Sequence, residues 1–161
     1  MNLKKIEINV CEYSFSELDK DLQQLIATAK DNTKKSYSPY SKFAVGAALL
    51  LENGQIISGS NQENAAYPSG LCAERTAVFY ANAMYPSVAP KALAIAAFYN
   101  GSFVEEPISP CGSCRQVLLE TETRYKTNIQ ILLYGENRIY LIPSVKQLLP
   151  LAFNEQNLKK E

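Results

Sequence analysis

The run Ala92 to Tyr99 is short, apolar throughout and bounded by turn residues, which marks a buried strand. A buried strand needs elements to cover it, and the pattern on either side supplies them. Ser14 followed by Glu17 forms a capping-box pattern, and Leu18, Leu22, Leu25, Ile26 and Ala29 then recur at helical spacing. That helix stops before Pro39, whose ring disfavours helix at the preceding residue. Phe43, Val45, Ala47, Leu49 and Leu51 alternate as a strand does. Asn53-Gly54 then reads as a two-residue hairpin turn into a return strand at Ile56 and Ile57. Residues Asn61 to Gly70 read as a polar loop, Cys72 to about Tyr85 as a helix, and Asn100 to Pro110 as a loop. A second cysteine-led helix covers Cys111 to about Thr123. Strands follow at Ile129 to Tyr134 and Arg138 to Leu141, then a short helix over Ser144 to Leu149. The order α-β-β-α-β-α-β-β-α predicts a mixed sheet with helices on its faces.

At 161 residues and 17.9 kDa, with no repeat or Gly/Ser linker, the chain reads as one domain over 14–153. Residues 1–13 form an N-terminal extension that reads as a flexible leader, and 154–161 form a charged tail that reads as frayed. Sixteen Lys and Arg balance sixteen Asp and Glu, so the net charge of zero argues against polymeric nucleic acid as a partner. No apolar run approaches the roughly 20 residues that cross a bilayer. The amino terminus has no apolar stretch after its basic residues, so the reading is cytoplasmic, with no membrane partner.

There are no histidines. Their absence removes Ser-His-Asp and Cys-His catalysis and every imidazole metal site. Proton transfer near neutral pH then falls to a carboxylate, a shifted Lys or Cys, or a metal-bound water. Four cysteines remain: Cys11, Cys72, Cys111 and Cys114. In a reducing compartment they read as metal ligands or redox groups before structural disulfides.

Cys72-Ala73-Glu74 opens one helix and Pro110-Cys111-Gly112-Ser113-Cys114 opens the other. A helix start offers unpaired N–H groups and partial positive charge, which favour thiolate over thiol. Two such starts, brought together, assemble three thiolates around one cation and leave the fourth tetrahedral position open, the layout of a catalytic zinc site. Holding three thiols ionised at pH 7 costs about 2 kcal/mol each. Structural zinc contributes about 10–16 kcal/mol, so binding wins. Three sulfurs leave an excess of negative charge that a cation must offset, and Arg75 and Arg115 each directly follow a candidate site residue.

Other readings stay open at this point. Cys111-Gly112-Ser113-Cys114 alone resembles a thioredoxin-type redox pair, although such a dithiol has no need of Cys72. A closed structural zinc site wants a fourth ligand, and only Cys11 is available; Cys11 reads as an incidental free thiol. Glu74 alone reads as a first-turn acid that stabilises its helix.

The residues together resemble the small cytidine deaminases within the cytidine and deoxycytidylate deaminase superfamily. The segment Tyr37-Ser38-Pro39-Tyr40-Ser41-Lys42-Phe43-x-Val45-Gly46-Ala47-Ala48-Leu49 is similar to that family's first-strand signature. Asn61-x-Glu63-Asn64-Ala65-x-Tyr67-Pro68 is similar to its ribose loop, and Cys72-Ala73-Glu74-Arg75-Thr76-Ala77 to its first metal motif. Ser109-Pro110-Cys111-Gly112-x-Cys114-Arg115-Gln116-Val117 matches the second motif, and Leu148-Leu149-Pro150-x-Ala152-Phe153 the carboxyl-terminal segment. The departures are the leader, Leu151 where a small residue is common, and Gln62 where an apolar one is usual.

The resemblance implies a three-layer α/β/α fold with a five-stranded mixed sheet. It implies one zinc ion per subunit on Cys72, Cys111 and Cys114, with Glu74 moving the proton of an attacking water to N3 and then to the departing amine, chemistry general to zinc-dependent deaminases. It places Asn61 and Glu63 on the ribose 3′-OH, Phe43 on the pyrimidine face, the Ala73 N–H on the base carbonyl and Tyr67 near the ribose. Phe153 reaches a neighbour's site, which implies a homotetramer with shared active sites. The expected function is hydrolytic deamination of cytidine and 2′-deoxycytidine in pyrimidine salvage, with a small nucleoside as substrate. The rivals are a deaminase of another cytosine nucleoside (blasticidin S-like), a CxxC thiol–disulfide oxidoreductase, and a non-catalytic zinc-stabilised interaction domain.

Overall fold

The apolar run at Ala92 belongs to a ten-residue strand, Pro90–Tyr99, in the interior of a single seven-stranded sheet. The computed structural model describes residues 1–158, so the last three residues of the predicted tail lie outside the described residues. In chain order the strands are β1 (Cys11–Tyr13), β2 (Ala44–Leu51), β3 (Ile56–Ser60), β4 (Pro90–Tyr99), β5 (Ser102–Phe103), β6 (Gln130–Tyr134) and β7 (Ile139–Ile142). Three helices accompany them: α1 (Lys20–Asn32), α2 (Ala73–Met84) and α3 (Gly112–Tyr125). The spatial order is β1-β7-β6-β4-β2-β3, with β5 paired to β4. The β4–β6 pair is parallel and joined by a crossover containing α3; the other strand pairs are antiparallel.

Alternation along the inner strands sorts their residues between two cores. Ala47, Leu49, Leu93, Ile95, Ile131 and Leu133 pack with Ala77, Val78 and Leu118 of α2 and α3. Ala48, Ala92, Ala94, Ala96 and Leu132 face the other way, onto Leu25, Ile26 and Ala29 of α1. Full burial of a residue such as Leu25 or Ile26 contributes about 1.5–3 kcal/mol. Small residues on the α1 side let that helix lie close, and at Gly46 a side chain would collide with the Ala29 carbonyl. The result is the three-layer α/β/α arrangement expected. No helix among the described residues is long and apolar enough to cross a membrane.

The sheet has seven strands rather than five, and both extra strands lie where the sequence reading placed none. The leader supplies β1, an edge strand with Cys11 opposite Leu141 and Tyr13 opposite Ile139, so its last residues are not a flexible lead-in. The predicted loop after Tyr99 turns straight back at Asn100-Gly101, with Tyr99 facing Ser102. Both turn residues have positive φ, 53° and 89°, as a two-residue primed turn requires. The Asn53-Gly54 turn is instead a three-residue loop. Leu51 N–H donates to the Gln55 carbonyl, and Gly54 takes the left-handed position at φ 83°.

Two helix boundaries also differ. The Ser14–Glu17 box closes a 3-10 turn at Phe15–Glu17, with Ser14 N–H donating to Glu17 at 2.7 Å. The helix itself starts behind Asp19, whose carboxylate accepts the Leu22 N–H at 2.9 Å. The predicted helix at Ser144 is one 3-10 turn, Val145–Gln147. The tail likewise forms a 3-10 turn at Glu155–Asn157.

Candidate metal centre

Cys72 and Cys111 are the N-cap residues of α2 and α3, each in extended conformation, and neither side chain caps its own helix. Their sulfurs are therefore free to face each other across the two helix starts. Cys114 lies in the first turn of α3 and is fully buried. Cys72 Sγ lies 3.7 Å from Cys111 Sγ, and Cys111 Sγ lies 3.4 Å from Cys114 Sγ. The three ligand atoms all fall within 4.8 Å of one another. Tetrahedral zinc with bonds of about 2.3 Å separates its sulfurs by about 3.8 Å, so the cluster fits the ion with little adjustment. Among the described residues no other group of three or more His, Cys, Asp or Glu is arranged to hold a metal.

Electrostatics point the same way. The Cys114 thiol, the Arg75 guanidinium and the Cys111 thiol hold Cys72 well below the usual thiol range. Cys114 is driven up, first by its contact with the Cys72 sulfur and then by burial and the Glu74 charge. Ionisation of the Cys72 sulfur thus opposes that of Cys114, and a cation at the centre is what lets the two ionise together. Arg75 Nη2 donates to Cys72 Sγ at 3.8 Å, while its Nε is buried without a hydrogen-bond partner.

Glu74 is 5% exposed. Burial pushes its carboxyl up, the Cys72 charge adds to that, and bonds from its own N–H and from the Cys114 thiol oppose it. The structure therefore places the acid against the sulfurs. Ala73 occupies the first position of α2, where a backbone N–H has no acceptor within the helix.

A cleft of about 550 Å³ opens beside Cys72 and Arg75, with Tyr40, Asn61, Glu63 and Tyr67 among its walls. That volume suits a small molecule. Glu63 Oε2 accepts the N–H groups of Tyr40 and Ser41 at 2.9 and 3.2 Å. The Ser41 hydroxyl bond is the main cause that lowers its carboxyl below the ordinary value. Asn61 is more committed. Its Oδ1 accepts from the Ser36 hydroxyl and from Val45 N–H at 2.8 Å, and its Nδ2 donates to the Phe43 carbonyl at 2.9 Å. One amide N–H remains, so Asn61 anchors the start of β2 as well as facing the cleft.

The remaining candidates are placed differently. Phe43 is absent from the cleft lining and packs on Tyr99, with ring centroids 5.6 Å apart. Tyr67 sits edge-on to Tyr40 at 6.1 Å and is exposed. Phe153 is 60% exposed and does not line its own chain's cleft. Arg115 departs from its expected place beside the sulfurs. Its guanidinium donates to the Pro110 and Leu148 carbonyls and to the Ser109 hydroxyl at 2.8, 3.0 and 3.1 Å. It clamps the segment after β7 onto the Cys111 turn, and Arg75 alone of the two contacts a sulfur.

Sequence reasoning missed Tyr40 and Ser41 as the holders of Glu63, and Ser36 as a partner of Asn61. It also missed Glu122, a fully buried carboxylate that accepts the Ile129 and Val145 N–H groups and the Ser144 hydroxyl at 2.7, 3.0 and 2.9 Å. An acid near a helix carboxyl terminus opposes the dipole and is the signal that bonds of this kind compensate it.

The family model for the cytidine and deoxycytidylate deaminase zinc-binding region matches residues 19–129. A cytidine deaminase from Sporosarcina psychrophila is 43% identical over 143 residues, which cover 86% of this chain and 95% of that protein. One from Halalkalibacterium halodurans is 40% identical over 142 residues, covering 86% and 98%. The crystal structure of cytidine deaminase from Burkholderia pseudomallei superposes with a TM-score of 0.68 at 40% identity, covering 81% of this chain and 97% of that one. The Mycobacterium tuberculosis enzyme gives 0.66 at 35% identity, covering 84% and 99%.

Proposed function

This chain belongs to the cytidine and deoxycytidylate deaminase family, and from that membership we propose that it hydrolyses cytidine and 2′-deoxycytidine to uridine and 2′-deoxyuridine with release of ammonia, in pyrimidine salvage in the cytoplasm. The observation that carries the reading is the convergence of three sulfurs, from two helix starts, beside a buried glutamate, with one of them, Cys72, lining a cleft of about 550 Å³. Cys72, Cys111 and Cys114 hold one zinc ion per chain, and Arg75 offsets part of the thiolate charge. Zinc bound there supplies Lewis-acid activation of the attacking water.

The chain's own residues do the rest. Glu74 removes a proton from the water that attacks C4 and returns it to N3; it then takes the second proton from the new C4 hydroxyl and delivers it to the amine, so that the C4–N bond breaks to leave the C4 carbonyl and ammonia. A carboxyl whose burial raises its affinity for protons is matched to a relay that must both take and give near neutral pH. The Ala73 N–H binds the base carbonyl. Glu63 accepts the ribose 3′-OH, and Asn61 adds its one uncommitted N–H. Tyr67 walls the sugar, Phe43 packs on the pyrimidine face, and Phe153 completes the site of a neighbour in a homotetramer.

Metal analysis and cytidine turnover, followed by loss of ultraviolet absorbance, test this reading. One zinc per chain and turnover of cytidine are expected. Glu74→Gln keeps the zinc and the fold while turnover falls by about 10²–10⁴. A metal-free chain with a reducible Cys111–Cys114 disulfide would sink the reading in favour of a redox protein.

A further inference from the structure

The leader has no part in the cleft, yet its sequence is patterned. Along Lys4, Ile6, Ile8, Val10 and Glu12 every second residue alternates with Lys5, Glu7, Asn9 and Cys11. In extended chain the first set lines one face, with three β-branched apolar residues between a cation and an anion. Lys5 Nζ and Glu7 Oε1 lie 2.7 Å apart, as same-face neighbours two residues apart can. The chain runs directly into β1, the edge strand of the sheet, which pairs with β7 on one side only. Ile6, Ile8 and Val10 are 44%, 52% and 46% exposed. Residues 4–10 lie outside any strand and lead into the open edge at β1, and an exposed apolar stripe entering an unpaired sheet edge is a template for another strand.

The order of residues selects which strand. Read backwards, Lys4-Ile6-Ile8-Val10-Glu12 places an anion opposite a cation at both ends and apolar residues opposite apolar residues between them. The stripe is complementary to itself about Ile8, the condition for an isologous contact about a two-fold axis. We propose that residues 4–12 form an antiparallel β-ribbon with the same segment of a second copy of this chain, with Ile8 facing Ile8, Ile6 facing Val10 and Lys4 facing Glu12. The exposed Arg138–Glu12 contact, 3.4 Å long and partly in solvent, yields readily to Lys4 of the other copy. The chain's zero net charge sets no long-range repulsion against two copies meeting. This contact stands independently of the deaminase reading.

Disulfide trapping reads the register directly, because directly paired residues have Cα atoms about 4.5–5.5 Å apart, within reach of a disulfide. In zinc-loaded full-length protein carrying Cys11→Ser, Ile8→Cys is expected to give a covalent dimer under mild oxidation. Ile6→Cys alone stays uncrosslinked, because its two copies lie roughly 13 Å apart along the ribbon. An equal mixture of Ile6→Cys and Val10→Cys chains crosslinks again. Crosslinking no better at position 8 than at position 6, or none in the mixture, overturns the proposal. All three residues are exposed, so the variants leave the fold intact.

Discussion

At Glu74 the cost of burying a carboxyl falls on stability. Buried against sulfur, its carboxyl holds its proton more tightly in the folded chain than in the unfolded one. In zinc-free protein this group therefore withdraws stability as pH rises above the ordinary carboxylate value, where the unfolded chain has released the proton and the folded chain has not. Glu74→Gln removes that withdrawal. Zinc-free Glu74→Gln is thus expected to melt higher than the zinc-free parent at pH 7. The two converge below about pH 4, where both side chains are neutral in both states. Thermal melts across pH check it, and equal melting temperatures at pH 7 count against a buried, proton-holding Glu74. Glu63 carries the opposite character, an acid held ionised by the Ser41 hydroxyl and by the N–H groups of Tyr40 and Ser41. Glu63→Gln keeps an oxygen for those backbone donors and loses only charge. A hydrogen bond to a charged group contributes about 1.5–3 kcal/mol, so kcat/KM for cytidine should fall roughly 10–150-fold while free cytosine is unaffected. Equal loss on both substrates would remove Glu63 from the sugar.

At the scale of elements, the site depends on how closely α2 lies on β3. A Cβ at Gly59 would stand 2.5 Å from the Ala73 carbonyl and 2.6 Å from the Ala77 N–H, so the first turn of α2 rests directly on strand backbone. Gly59→Ala must push that turn outward, and Cys72 and Glu74 travel with it. We expect lower zinc retention under chelator and a loss of stability at the upper end of single-site effects, about 3 kcal/mol or more. Gly54→Ala is the control. It sits at φ 83° in open space, so it costs about 1 kcal/mol and leaves zinc untouched. This contact was not legible in the sequence, since a glycine in a strand announces close approach without naming its partner. The cysteine-led helices were legible, because Pro110 and the paired cysteines fix a helix start locally. The two Asn-Gly pairs show where local reading stops. Asn53-Gly54 and Asn100-Gly101 carry the same letters, yet only the second forms the two-residue turn. Tyr99 and Ser102 pair directly, whereas β2 enters its turn one residue longer at Leu51, where its register with β4 also shifts. The leader strand was hidden for a similar reason, since β1 is only three residues long and exists through its pairing with β7.

For the whole molecule, the open question is how much of an active site one chain contains. Phe79, Tyr80 and Met84 lie exposed on α2, the helix that begins at the metal centre, and Leu151 and Phe153 lie exposed beyond β7. In the homotetramer proposed above, these exposed apolar residues are where neighbouring copies would meet. Gln116 Nε2 donates to the Phe153 carbonyl at 2.8 Å, and Phe153 is 60% exposed. If its ring completes a neighbour's cleft, Phe153→Ala and Glu74→Gln damage different halves of one site. Chains of the two kinds, co-expressed with separate tags and purified together, then assemble sites in which an intact Glu74 faces an intact Phe153 from next door. Random assembly gives about a quarter of all sites that form, so the mixture should recover about a quarter of parental activity, well above the mean of the two pure variants. If Phe153 served its own chain, no site in the mixture would hold both residues, and activity would stay at that mean.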